Sequence, residues 1–139
     1  MREILFRGKR TDNGEWVEGY VAKRPDAIQF EEGPYSPWYI DKPPKDPDDY
    51  GGVYSIDPET VGQFTGLEDR NGARIFEGDV VMLIFTSGQH KGKVVFHNGG
   101  FCVEALENFV SLQKTPVYEF ERLGNIHDNP ELLEKEDGE

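Results

Sequence analysis

Three histidines and one cysteine are the side chains of this sequence best suited to nucleophilic or metal chemistry. His90, His97 and His127 show no His-x-x-x-His or His-Glu-x-x-His spacing, which would place two imidazoles on one helical face. Cys102 follows His97 across the turn 98–100, a spacing that would permit a thiolate–imidazole pair. A small thiol within or beside a β core is the simpler explanation for this cysteine. We therefore predict no catalytic residue, no metal site and no cofactor.

Closely spaced carboxylates are the second group that could do chemistry. Glu77 and Asp79 flank Gly78, and the segment 46–49 holds three aspartates. Two carboxylates can share acid and base work when their environments separate their pKa values. However, the segment 46–49 lacks the later glycine and glutamate of a calcium loop, and Glu77-Gly78-Asp79 is typical of a turn. The sequence also lacks the Gly-x-x-x-x-Gly-Lys-Ser/Thr and Gly-x-Ser-x-Gly motifs, which disfavours mainstream nucleotide and hydrolase chemistry.

Composition predicts a small folded protein of a reducing compartment. The chain has 139 residues, 36% of them hydrophobic, which is enough for one core, while 16 glycines and 9 prolines indicate many turns. A single cysteine excludes an intramolecular disulfide. The N-terminus has no apolar stretch of signal-peptide length, and the longest apolar run, 80–85, is only strand-sized. We expect a cytoplasmic protein with no membrane partner.

The net charge of −12 argues against a protein that holds nucleic acid through its phosphates. Nucleic-acid binding stays a weak alternative because the N-terminus holds a basic cluster of Arg2, Arg7, Lys9 and Arg10. The segment 26–59, in contrast, carries nine acids against two lysines. This acidic segment is interpreted either as a solvated face or as a docking surface for a basic partner or for the chain's own N-terminal strand.

The hydrophobic runs are short, rich in β-branched and aromatic residues, and separated by turn residues, a pattern typical of strands. Asn13-Gly14 predicts a hairpin turn between strands at 4–6 and 16–21. Prolines weaken the order from 24 to 52, where strands at 27–30 and 38–40 remain allowed and 42–52 is expected to be an exposed loop. The division into subdomains is therefore predicted as 1–52 and 53–139.

The second half alternates short strands with tight turns at 69–72, 77–79 and 98–100. This spacing predicts a strongly bent, SH3-like barrel rather than a parallel sheet, which would need helical crossovers. Asn129 as N-cap and Pro130 at the first helical position predict a short C-terminal helix. The predicted fold class is thus mainly β, or β-rich α+β: an N-terminal β-hairpin unit followed by the SH3-like barrel and the short helix.

Several of these segments, taken together, resemble the YopX family of phage and prophage proteins. The matching stretches run nearly the whole length in the expected order: 1–7, 61–72, 75–81 and 123–133. The resemblance implies a largely β, cytoplasmic protein of bacterial or phage origin, but no established activity or cofactor. Phe64 and His127 stand where family members often have tyrosine, so an essential hydroxyl at those positions is in doubt.

We hypothesise a non-enzymatic accessory module that binds another protein, or copies of itself, through its aromatic N-terminal half or an exposed sheet edge. The aromatic residues in question are Trp16, Tyr20, Tyr35, Trp38, Tyr39 and Tyr54. An alternative is an enzyme or small-ligand-binding protein whose polar motif residues converge in a pocket. The residues of that candidate ligand site are Gln63, Thr65, Glu77, Asp79 and Asn125. A nucleic-acid-binding SH3-like module is the second alternative, which the net charge disfavours.

Overall fold

The computed structural model describes residues 3–24, 36–105 and 107–133, and in that part of the chain it consists of antiparallel strands and short 3₁₀ turns. The predicted mainly β fold class is therefore confirmed. The possible strand at 27–30 lies outside the described residues. The strands are β1 (Phe6–Arg10), β2 (Trp16–Lys23), β3 (Trp38–Lys42), β4 (Gly52–Glu68), β5 (Arg74–Phe76), β6 (Asp79–Phe85), β7 (Gly88–His97), β8 (Gly100–Ala105), β9 (Asn108–Ser111) and β10 (Phe120–Asn125).

Contacts divide the chain into an N-terminal unit, Met1–Gln63, and a C-terminal unit, Phe64–Glu139. The division falls inside β4, whose last residues pair with β5. The sequence-based subdomains, 1–52 and 53–139, stay a prediction. Within residues 3–24, 36–105 and 107–133, no helix combines the length and apolar character required to cross a bilayer.

The N-terminal unit begins with the predicted hairpin. Gly14 has a φ of +72°, and its N–H donates to the carbonyl of Arg10 at 3.0 Å, which closes the turn. The first strand, however, spans Phe6–Arg10 rather than 4–6, because pairing with β2 continues through the basic residues beyond the apolar run. β2 pairs with β3, β3 with β4, and β4 with β1, so these four strands form a closed circuit of pairings.

The long strand β4 contains a bulge, which was not predicted from its sequence. Its pairing with β1 shifts register between Arg7 and Lys9. The Thr60 hydroxyl, which is buried, accepts a hydrogen bond from the Lys9 N–H at 2.8 Å and donates to the Asp57 carbonyl at 2.6 Å. Pro58, which cannot donate to a ladder, is accommodated in this bulge.

The core of the N-terminal unit is small. Val17, Ile40 and Ile56 are buried in it, and Val21, Trp38, Tyr54 and Val61 pack against them. Gly19 in β2 allows β3 to approach closely, because a Cβ at that position would overlap the carbonyl oxygen of Asp41. The missing side chain therefore sets the spacing between these two strands.

The C-terminal unit contains a second sheet, in the order β10-β6-β7-β8-β9. The predicted turn between β7 and β8 is present: Asn98 and Gly99 have φ angles of +50° and +81°, as a two-residue hairpin turn requires. The predicted C-terminal helix is only a 3₁₀ turn, Pro130–Leu133. A hydrophobic core cluster of this unit consists of Ile75, Val81, Leu83, Val94, Val103, Ala105, Leu112 and Phe120.

Gly92 of β7 supports a direct test of strand spacing in this second sheet. A Cβ on Gly92 would lie 2.5 Å from the Glu104 carbonyl oxygen and 2.6 Å from Cγ1 of Val103, whereas a Cβ on Gly100 would come no closer than 3.8 Å to Gln113. We expect Gly92→Ala to lower the free energy of unfolding by about 1–3 kcal/mol through overpacking. Urea unfolding followed by circular dichroism measures it. The matched control Gly100→Ala is expected to change stability by less than about 0.5 kcal/mol, and equal effects of the two variants would contradict the assignment.

Candidate interaction surface

The N-terminal unit presents one sheet face that its own core does not use. Tyr20, Asp41 and Val53 are successive cross-strand partners on β2, β3 and β4. The residues that alternate with them, including Val21 and Ile40, turn to the core. A second row beside the first completes what we call the aromatic–acidic face, which consists of Tyr20, Ala22, Tyr39, Asp41, Val53 and Ser55.

This face is open to solvent at its centre. Tyr20 is 54% exposed and Val53 is 44% exposed, and Asp41, which lies between them, is also exposed. Within the described ranges, Asp41 forms no ion pair. A carboxylate therefore stands in solvent between an aromatic ring and an aliphatic side chain.

One arginine of the chain already lies on this face. The guanidinium carbon of Arg24 is 5.2 Å from the centroid of the Tyr39 ring, within the range of a cation–π contact. The Arg24 N–H donates to the carbonyl of Pro37 at 2.7 Å, which holds the end of β2 beside the start of β3. At the same border the Ser55 hydroxyl accepts a hydrogen bond from the Ser36 N–H and donates one to the Ser36 carbonyl, both at 3.1 Å. The rim of the face is thus fixed by backbone contacts.

The basic residues of β1 have close contacts inside the unit. Arg7, which is buried, and Lys9 both lie over the Trp16 ring, at 4.7 and 5.4 Å from its centroid. Arg10 lies 4.2 Å from the centroid of Tyr54 and donates two hydrogen bonds, of 2.9 and 2.6 Å, to the Asp12 carboxylate. Aromatic rings or a carboxylate therefore already engage three of the four basic residues at the N-terminus, the fourth, Arg2, being outside the described residues.

Two of the predicted ligand-site residues meet in the C-terminal unit. Asn125 of β10 is the cross-strand partner of Asp79 of β6. The Asp79 carboxylate is fully buried, accepts a hydrogen bond from the Phe76 N–H at 2.8 Å and lies 3.5 Å from Nε of Arg122. The Asn125 side-chain oxygen accepts from the backbone N–H of His127 and Asp128, at 3.0 and 2.8 Å. Both side chains thus hold nearby backbone, the role expected of turn residues.

The other three members of that set are distributed more widely. The Thr65 hydroxyl donates to the Ile75 carbonyl at 2.8 Å, and Glu77 lies half-buried in the turn before β6. Gln63 belongs to the N-terminal unit, where it pairs with Phe6. A ligand role for the five residues stays a prediction. A cleft of about 440 Å³ in the N-terminal unit is lined by other residues: Lys9, Arg10, Thr11, Gly14, Ser36, Asp57 and Pro58.

The histidines and the cysteine make structural contacts. His97 stacks on Phe109 with ring centroids 3.7 Å apart, a contact across β8 that the sequence did not indicate. The Cys102 sulfur lies 3.9 Å from the carbonyl oxygens of His97 and Gly100. No group of three potential metal ligands occurs among the residues described above.

Comparison with known proteins places the chain in a family. The family model described as YopX protein matches residues 5–134. The chain belongs to the YopX family. The fold of this YopX protein is similar to the crystal structure of protein EF1440 from Enterococcus faecalis, with a TM-score of 0.57 and 25% sequence identity over 96% of this chain and 100% of that chain. A search of curated proteins found no match.

The polar motif residues of this YopX protein organise bends. Asp69 accepts hydrogen bonds from the backbone N–H groups of Asn71 and Ala73, both at 2.9 Å, and from that of Arg122 at 2.7 Å. One carboxylate therefore closes the turn before β5 and fixes it to β10. Burial alone would raise the pKa of Asp69, but these three donors outweigh it and leave the pKa below its usual value.

Acid unfolding tests the contribution of the three hydrogen bonds that Asp69 accepts, which we call the Asp69 clamp. Because the folded state lowers the pKa of Asp69, its stabilisation is complete above the unfolded value of about 4 and is lost as the pH falls through the folded value. Asp69→Asn removes one acceptor oxygen, so we expect a loss of about 1–3 kcal/mol at neutral pH and a flatter decline of stability at acid pH. Urea unfolding followed by circular dichroism at several pH values measures both.

The control for this test is Asp46→Asn. Asp46 is exposed, and its side chain accepts a local hydrogen bond from the Asp48 N–H at 2.9 Å; among the described residues this side chain has no other hydrogen bond or ion pair, yet its substitution removes the same charge. We expect it to leave the acid decline unchanged. An Asp69→Asn protein whose stability falls with pH in parallel with the unsubstituted protein would show that the clamp does not depend on the charge.

Proposed function

We propose that this YopX protein is a non-enzymatic protein-interaction module that binds its partner through the aromatic–acidic face. The observation that supports the proposal is the exposed row Tyr20–Asp41–Val53, which the unit's own core does not use. Exposed tyrosines with adjacent aliphatic side chains are typical of interface centres, since a tyrosine contributes a large contact area with few rotatable bonds.

The pairing of the N-terminal strands favours a face over a sheet edge as the binding element. Every strand from β1 to β4 pairs with two others of this unit, and β1 and β3 are paired on both sides along most of their length, so a partner strand added to either of these two would have to displace an existing ladder. Side chains that project from paired strands are also held more rigidly than side chains on loops. A partner would therefore meet a preformed surface at low entropic cost.

Family membership and sheet topology support proposals on the origin of the protein, its cellular location and the fold type of its C-terminal unit. We propose a cytoplasmic accessory protein encoded by a phage or prophage, because YopX proteins have that association. The antiparallel succession β6-β7-β8-β9, with β10 beside β6, supports an SH3-like description of the C-terminal unit. The contacts of Arg7 and Arg10 with rings or a carboxylate argue against nucleic acid as the partner, since phosphate binding would have to compete with them.

Site-specific photo-crosslinking tests the proposed surface. A benzophenone amino acid placed at Tyr20 is expected to yield a discrete adduct with a partner protein in bacteria that carry a YopX-encoding prophage. Tyr50, which is 95% exposed but lies outside the face, and Tyr118 of the C-terminal unit, which is 66% exposed, are the matched control positions. The absence of an adduct at position 20, or equal adducts at all three positions, would overturn the proposal.

A further inference from the structure

We infer that the partner presents a basic, arginine-containing segment, and that one of its guanidinium groups lies over Tyr20 beside the Asp41 carboxylate. This inference rests on the proposed function and specifies the chemistry of the partner. Its basis is the position of Asp41 as the direct cross-strand neighbour of Tyr20, which places a negative charge beside an exposed aromatic ring. A ring face and a carboxylate together form a site that recognises a cation.

The chain itself contains the same combination of groups in an occupied state. Arg10 lies 4.2 Å from the centroid of the Tyr54 ring and donates two hydrogen bonds to Asp12. Tyr20 and Asp41 offer the corresponding ring and carboxylate, but within residues 3–24, 36–105 and 107–133 no cation lies over Tyr20 and none pairs with Asp41. An arginine from outside would complete this second arrangement.

The neighbouring row of the face shows that a guanidinium fits this surface. Arg24 already covers Tyr39, the residue two positions before Asp41 on β3. Side chains in these adjacent rows are within diagonal reach of one another. A basic segment lying along the face would therefore continue a series of cations on rings that begins with Arg24, and Val53 would contact the aliphatic part of the incoming side chain.

The negative charge of the chain favours a basic partner over an acidic protein, a nucleic acid or a second copy of the chain. The chain carries −12 overall, and its segment 26–59 holds nine acids against two lysines, so an acidic protein or a nucleic acid would be repelled. A second copy of the chain carries the same negative excess. Arginine is favoured over lysine because its planar guanidinium stacks on a ring while it donates two hydrogen bonds to one carboxylate.

Fluorescence anisotropy with a labelled peptide of alternating arginine and serine tests the inference. We expect saturable binding at about 0.15 M salt, strengthened at lower salt, and weaker binding of the lysine–serine peptide. Tyr20→Ala and Asp41→Asn are each expected to weaken binding by about tenfold, because either change removes half of the cation site. Circular dichroism verifies that these surface variants fold.

Two control variants separate a specific site from general attraction. Glu59→Gln removes one exposed acid, and Tyr50→Ala removes one exposed ring, both outside the face; each is expected to change the affinity by less than about twofold. Failure of the arginine peptide to bind, or equal losses in Asp41→Asn and Glu59→Gln, would overturn the inference. If the peptide fails while crosslinking at Tyr20 succeeds, the basic class of partner is wrong and the proposed function stands. If both fail, the proposed function falls as well.

Discussion

Close approach of neighbouring strands at glycine is the constraint on which both units depend. Gly19 lies against the backbone of Asp41 in the N-terminal unit, and Gly92 lies against β8 in the C-terminal unit. In each case a single methyl group would force the strands apart. The constraint also bears on the proposed interaction surface, because the β2–β3 register that Gly19 permits makes Tyr20 the direct neighbour of Asp41.

Short strands impose a second requirement, which the polar residues of the family motifs meet. Every tight turn leaves backbone N–H groups without a ladder partner, and an unsatisfied buried N–H is costly. Asp69 accepts from two N–H groups of its own turn and from one in β10, Asn125 accepts from two after β10, and Asp79 accepts from one in β5. The same carboxylates and amides that suggest chemistry in the sequence thus hold backbone groups at bends in the structure.

The sequence predicted local features better than pairings. The hairpin at Asn13-Gly14 and the turn at 98–100 were predictable because positive φ angles restrict residue choice. The full length of β4 was not, since the bulge around Pro58 interrupts the alternation that identifies a strand. The aromatic richness of the first half was evident, but whether Tyr20 or Tyr54 faces the core depends on register, which composition does not contain.

The distribution of cations over rings distinguishes the proposed recognition site from the rest of the N-terminal unit. Where Arg10 meets both Tyr54 and Asp12, ring and carboxylate are already occupied, and an incoming arginine would have to displace an internal one. Where Tyr20 meets Asp41, the ring and the acid are present and exposed without such an occupant among the described residues. General negative charge attracts a basic partner from a distance but does not orient it. Orientation requires a local site, and the row Tyr20–Asp41–Val53 supplies ring, charge and apolar contact in one line across three paired strands.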